Sequence, residues 1–313
     1  MNVLLVDVDS EIPNTALMQI STWEKSQGNT VGFKVNDPDR IYVSCIFSSN
    51  GNNMKALKFY YPDAEIILGG SGINYDWLPE HMRKLIPDYS LYDGMICQRC
   101  GKKYNYCKCQ RRKPVKGNLN YSMGFTTRGC IRNCDFCIVR EKEGKLHRWQ
   151  HVKEFHNPDH KKVILLDNNV YADREWFFEN TDYILEKKLA WNPVQGMDIR
   201  LLDREIAERL KELKWIGTLH FAFDNMSDEK AVRKGVKILK EVGFDLKHHV
   251  QFYVLAGYNT TEEEDKHRCR LLKKLGTCPF VMAYKKTDWT KRLMRWANKK
   301  YIFFSCDIDE YEG

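Results

Sequence analysis

Short apolar runs alternate with segments of helical periodicity through residues 1–96. Residues 3–8, 41–47 and 66–68 read as strands, and 14–27 and 53–60 as helices, the first closed by Gly28. Strands spaced by helices in this way predict a Rossmann-like, doubly wound N-terminal domain over 1–96. From residue 119 the pattern becomes a regular strand–helix repeat. Residues 121–126, 163–166, 196–199, 218–223, 249–256 and 280–283 read as six successive strands. Ile206, Leu210 and Leu213 share one face of a helix over 203–213, and Val232, Val236 and Leu239 share one over 227–242. Thr260 to Glu263 fits a capping box ahead of a later helix. The α/β pattern therefore predicts a partial (β/α)6 TIM-type barrel over 119–285. Residues 286–313 form an extension in which Trp289 and Trp296 mark an amphipathic lid or docking surface.

Composition adds a compartment and a chemistry. The chain has 313 residues and 43% hydrophobic content, enough for one large core or two smaller ones. No leader and no apolar stretch long enough to span a bilayer is visible, which predicts a cytoplasmic protein without membrane contact. Seven of the 11 cysteines fall between 97 and 137, a clustering that in a reducing compartment reads as metal ligation. Within a separate insert over 97–118, Cys97, Cys100, Cys107 and Cys109 form C-x2-C-x6-C-x-C, four soft ligands suited to tetrahedral Zn2+. An auxiliary iron–sulfur cluster and unligated thiols are the alternatives. Arg99, Lys102, Lys103, Lys108, Arg111, Arg112, Lys113 and Lys116 give the insert a charge matching the net +8 of the whole chain. That charge predicts an anionic partner such as RNA, with Tyr104 and Tyr106 available to stack on bases; a solvated basic face is the other reading. His147, His151, His156 and His160 read as a helical surface, and Cys306 as core or as a late cluster ligand.

The most specific signal is Cys130, Cys134 and Cys137, spaced C-x3-C-x2-C. Zinc would ask for a fourth ligand at comparable spacing, and residues 138–146 hold neither Cys nor His. Three thiolates can instead hold three irons of a [4Fe–4S] cluster and leave the fourth iron open. With Phe136 before the last cysteine, and with the flanking segments 126–130 and 139–144, this loop resembles the signature of the radical S-adenosylmethionine (SAM) superfamily. The likeness is to the class carrying an N-terminal cobalamin-binding-like domain. Residues 2–6, Pro13 and Asn14 before a helix, and Leu68 to Gly70 extend it, whereas the D-x-H-x-x-G motif that supplies histidine to cobalt is missing. Cobalamin binding stays open on that account.

The resemblance implies a radical SAM barrel, SAM chelated to the open iron, an external one-electron reductant such as flavodoxin or ferredoxin, and a 5′-deoxyadenosyl radical that abstracts hydrogen from an unidentified substrate. Methylation follows if cobalamin binds. It also implies site residues at the carboxyl ends of the strands. Arg128 favours the anionic cluster–SAM assembly, or pairs with a carboxylate on the surface. Asp167 and Asn168 accept from the SAM ammonium, or make a local turn. Arg200 binds the SAM carboxylate, or pairs with Asp203 or Glu205. Asp224 meets the ribose or substrate, or caps a helix. Gly257 and Tyr258 frame adenine, or roof the core. Gly69 to Gly72 admits a bound group to the backbone, or makes a tight turn. The rival function is an iron–sulfur and zinc protein that binds nucleic acid without radical chemistry.

Overall fold

The computed structural model describes residues 1–50, 55–109 and 115–313, with 55 and 56 described by backbone alone. It is a mixed α/β architecture with parallel sheets. Two compact units emerge, one of Met1–Gly124 with Gln150–Lys162, the other of Phe125–Trp149 with Val163–Gly313.

The first unit is built on β1 (Asn2–Asp7), α1 (Thr15–Ser26), β2 (Thr30–Gly32), β3 (Arg40–Ser44), α2 (Lys55–Tyr60) and β4 (Glu65–Gly69). The strand order is β2-β1-β3-β4, all parallel. Alternation along β1 turns Val3 and Leu5 toward Leu17 and Ile20 of α1, while Leu4 packs with Ile41, Val43 and Leu57 on the opposite face. Both faces of the central strands are thus covered, as a parallel sheet requires, while edge strand β4 leaves Ile67 and Leu68 exposed. Asn14 caps α1, its side chain accepting from the amides of Ala16 and Leu17. Three-residue β2 carries too short a pattern to be read from sequence. The strand expected over 41–47 stops at Ser44 because Asp9 accepts from the amides of Ile46 at 2.7 Å and Phe47 at 2.9 Å, turning the chain aside. Residues 53 and 54 of the second expected helix lie outside the described residues.

Beyond β4, the two-residue strands β5 (Ile96–Cys97) and β6 (Lys116–Gly117) pair antiparallel, and β7 (Ser122–Gly124) follows. The strand expected over 121–126 therefore ends at Gly124. Residue 127 begins a different ladder, in which β8 (Thr127–Arg128) pairs antiparallel with β9 (His147–Arg148) around an excursion containing α3 (Val139–Glu143). Next comes α4 (Val152–Phe155), capped by a reciprocal box between His151 and Glu154. His160 is buried and its Nδ1 lies 3.1 Å from Ser122 Oγ. These histidines share no helical surface: His147 is exposed on β9, His151 and His156 flank α4, and His160 is core.

In the second unit β10 (Lys162–Leu165), α5 (Arg174–Glu186), β11 (Ala190–Pro193), α6 (Arg204–Glu212) and β12 (Lys214–Trp215) give a sheet ordered β12-β11-β10. The third strand lies at Ala190–Pro193 rather than 196–199. Met197 makes only an isolated parallel bridge to Phe221, and Asp198 then caps a tight helical turn over Ile199–Leu201. A second parallel sheet follows, built from β13 (Leu219–Ala222), α7 (Glu229–Glu241), α8 (Leu246–His249), β14 (Val250–Ala256), α9 (Glu262–Lys274) and β15 (Cys278–Ala283). The capping box of α9 is Thr261 with Glu264, one residue later than expected. The chain closes with α10 (Asp288–Ala297), which buries Trp296, and α11 (Lys300–Ser305). Among the described residues β15 pairs with β14 alone, so these ladders close no barrel. Among the same residues no helix is long and apolar enough to cross a membrane.

Candidate metal centres

The Cys130 loop is tied at its base before any cysteine is reached. The buried Asp167 carboxylate, just beyond β10, accepts from the amides of Thr126 and Thr127 and from both hydroxyls, at 2.6 Å and 2.7 Å. Burial pushes this carboxyl upward against the pull of its four donors. Gly129 then takes φ +74°, and a Cβ there would stand 2.3 Å from the Lys145 carbonyl oxygen, so only glycine fits. Glu143, at the end of α3, accepts from Gly129 N at 3.0 Å and Asn168 Nδ2 at 2.9 Å, and pairs with Arg128 at 3.1 Å. Arg128 is thus paired inside the loop base rather than on the surface, with its guanidinium 3.9 Å from the Phe125 ring centre.

The three cysteines sit on this platform. The Arg132 amide donates to Cys130 Sγ at 3.4 Å, and the Cys137 amide to the Cys134 carbonyl at 2.9 Å. Burial raises the Cys134 thiol pKa, the neighbouring Cys137 and Cys130 raise it further, Arg200 draws it down and Asp224 opposes that. Residues from the ends of different strands therefore share one electrostatic environment with the triad. Phe136 packs edge-on to Tyr258, with ring centres 5.3 Å apart, and Tyr258 meets Tyr284 at 4.6 Å.

A charge network holds the far side of the loop. Asp198 accepts from Arg132 Nε at 2.7 Å, from Arg200 Nε at 2.6 Å and from Arg200 Nη2 at 3.0 Å. Burial disfavours its charge, but the two guanidinia prevail and hold the carboxyl below its ordinary value. Arg200 also reaches Asp228 at 3.2 Å. Arg200 does not pair with Asp203 or Glu205, the partners expected from sequence, because both of those carboxylates belong to Arg174. Asp224 accepts from the Leu255 amide at 2.8 Å, and burial pushes its carboxyl up; it ties two strand ends rather than capping a helix. The Gly257 amide donates to Asp265 at 3.1 Å with φ +73°.

Cys97, Cys100, Cys107 and Cys109 form a second, tighter set. Their sulfurs all lie within 4.8 Å of one another, and among the described residues this is the one group of such ligands compact enough for a single ion. Cys97 Sγ is 3.1 Å from Cys107 Sγ, which in turn is 3.6 Å from Cys100 Sγ. Four thiolates on one tetrahedral zinc are about 3.8 Å apart, from a metal–sulfur bond of about 2.3 Å. The hydrogen bond from Cys107 draws the Cys97 thiol down to about 6, whereas Cys109 is pushed up to about 12 beside the same Cys107. Close thiols ionise one at a time, because each thiolate formed raises the cost of the next. Cys130, Cys134 and Cys137 do not converge this tightly, nor need thiolates on different corners of a cube.

The basic charge of the insert is partly spent internally. Lys102 pairs with Glu11, and Lys103 with Asp7 at 2.8 Å. Lys116 lies 4.4 Å over the Tyr104 ring and Lys103 5.1 Å over Tyr106, so both rings proposed for base stacking already carry a cation. Arg111, Arg112 and Lys113 lie outside the described residues.

Sequence reasoning missed Glu143, Arg132, Asp198 and Asp228. Glu143 falls within the flanking segment 139–144, but nothing in its spacing marks it as the loop's staple. Asp198 stands two residues before Arg200, a spacing that alone suggests only a local turn. Comparison with models of known protein families and with curated protein sequences finds no match to this chain.

Proposed function

We propose that the protein is a radical SAM enzyme whose Cys130, Cys134 and Cys137 hold a [4Fe–4S] cluster. The observation that carries this reading is that the cysteine loop meets polar residues from other strand ends: Arg132, between Cys130 and Cys134, shares the Asp198 carboxylate with Arg200, and Phe136 packs against Tyr258. A purely structural cluster has no need of polar groups gathered from successive strand ends. When bound and reduced, such a cluster with SAM supplies a 5′-deoxyadenosyl radical able to take hydrogen from an unactivated carbon.

The chain's own residues have separable tasks. Asp167 fixes Thr126 and Thr127, and Glu143 fixes Gly129, so the thiolates enter from a rigid base. Asn168 has its amide nitrogen held by Gly129 O and Glu143, which leaves its Oδ1 as the acceptor for the SAM ammonium; Asp167 is buried and turned to Thr126 and Thr127. Arg200 lends positive potential to the thiolates, and it donates to the SAM carboxylate by exchanging its 3.2 Å contact with Asp228 while Asp198 keeps the guanidinium oriented. Asp224 offers its second oxygen to ribose hydroxyls, and Tyr258, braced by Phe136, walls the adenine side. The finer architecture in this reading is a partial (β/α)6 barrel, supported by parallel sheets joined through the Met197–Phe221 bridge.

Anaerobic reconstitution with iron and sulfide, followed by dithionite and SAM, tests the reading. We expect SAM to perturb the EPR signal of the reduced cluster and 5′-deoxyadenosine to form, and Cys134→Ala to abolish both. A reconstituted cluster indifferent to SAM, with no nucleoside product, refutes it.

A further inference from the structure

The first unit closes its own ligand crevice. In an open parallel sheet, ligands bind beyond the carboxyl ends of the strands where the order reverses, here between β1 and β3. Asp7 ends β1 and Ser44 ends β3. Lys103, only 8% exposed, places its ammonium 2.8 Å from Asp7 Oδ2. The Tyr92 hydroxyl, wholly buried, donates to the same oxygen at 2.8 Å and accepts from the Asn14 amide at 3.0 Å. Asn14 reaches on to Ser44 Oγ at 2.8 Å. Gly70 and Gly72 press against the backbone of Cys45 and Phe47, where added Cβ atoms would come within 2.3 Å and 2.7 Å. Small residues here admit the chain itself, not a bound group, and the residues at these strand ends do not fit cobalamin.

Lys103 is held in place from the cysteine side. It lies between Cys100 and Cys107, its amide donates to the Glu11 carbonyl at 2.9 Å, and Ile96 forms a bridge with it. The turn before it is fixed by the Cys97 amide on the Lys102 carbonyl and the Gly101 amide on the Cys97 carbonyl, each at 2.9 Å, with Gly101 at φ +72°. Thiol-to-thiol contacts without a cation are weak, and a segment so rich in lysine gains little from apolar burial.

We infer that Cys97, Cys100, Cys107 and Cys109 bind one tetrahedral zinc or iron ion, and that this ion clasps Lys103 and its loop as a plug over the carboxyl ends of β1 and β3. The inference is independent of the chemistry at Cys130. The first unit then has a structural task and takes no cofactor in its sheet crevice. Binding exchanges thiol protons for the cation, with no redox step.

Elemental analysis of the 313-residue Cys134→Ala chain, in which the triad is broken, should give one zinc or one iron per chain and no acid-labile sulfide. Iron with stoichiometric sulfide overturns the single-ion site. Cys107→Ser, compared with the same protein before and after chelation and Zn2+ addition, is read by amide hydrogen exchange. Loss of the ion should speed exchange at residues 7–14 and 92–104 at least tenfold, with the second unit unchanged as internal control, and Zn2+ should reverse the chelated sample. Metal loss with protection intact overturns the clasp. Lys103→Met should keep the ion yet show the same faster exchange over residues 7–14. Stoichiometric binding of hydroxocobalamin to the metal-loaded wild type overturns the plug.

Discussion

Removing the Asp167 carboxylate should unseat the cysteine loop, at a cost that follows from what it accepts. Its oxygens take the amides of Thr126 and Thr127 in a site where Asp167 is 3% exposed. Asp167→Ala leaves two buried amide donors without partners, each worth about 1–3 kcal/mol, while the threonine hydroxyls can turn to other acceptors. The expected loss is about 4 kcal/mol. Asp167→Asn keeps one oxygen and turns an NH2 group toward the other donor, for about half that loss. A unit of this size loses roughly 2–4 °C per kcal/mol, so the alanine variant should melt about 8–16 °C lower in the transition of the second unit. Calorimetry gives the melting temperature, and iron per chain after anaerobic reconstitution reports the loop. An alanine variant within 1 kcal/mol of wild type and fully loaded with iron would show that Asp167 does not organise the loop.

Gly129→Ala forces a side chain into φ +74° against the Lys145 carbonyl, costing about 1–3 kcal/mol for the backbone alone, and should lower reconstituted iron without affecting metal at Cys97 to Cys109. Arg268→Met strands the buried Asp265, whose side chain is 1% exposed, and should cost about 3–5 kcal/mol in urea unfolding; a loss under 1 kcal/mol contradicts that. Asp198 has a folded pKa below 3.8, so its pairing is complete above that pH and lost as pH falls through the lower folded value. Asp198→Asn should flatten this part of the acid limb and cost about 1 kcal/mol at neutral pH, since Arg132 and Arg200 are each about a third exposed and screened. An acid limb identical to wild type would remove Asp198 from the loop's anchorage.

Sequence alone determined what depends on neighbours along the chain. Short apolar runs marked β1, β13 and β14, three-and-four spacing marked α6 and α7, and Asn14 announced the start of α1. The spacing of both cysteine sets was equally legible, because each lies within one short segment of the chain. Tertiary structure decided the partners of charged groups, since charges act through space. Asp167 belongs to Thr126 and Thr127, Arg132 to Asp198, Arg200 to Asp228, and Lys103 to Asp7, across separations that periodicity does not encode. It also decided where strands stop. Asp9 ends β3 by capturing two amides, and Met197 meets Phe221 in a single bridge where the local pattern promised a strand.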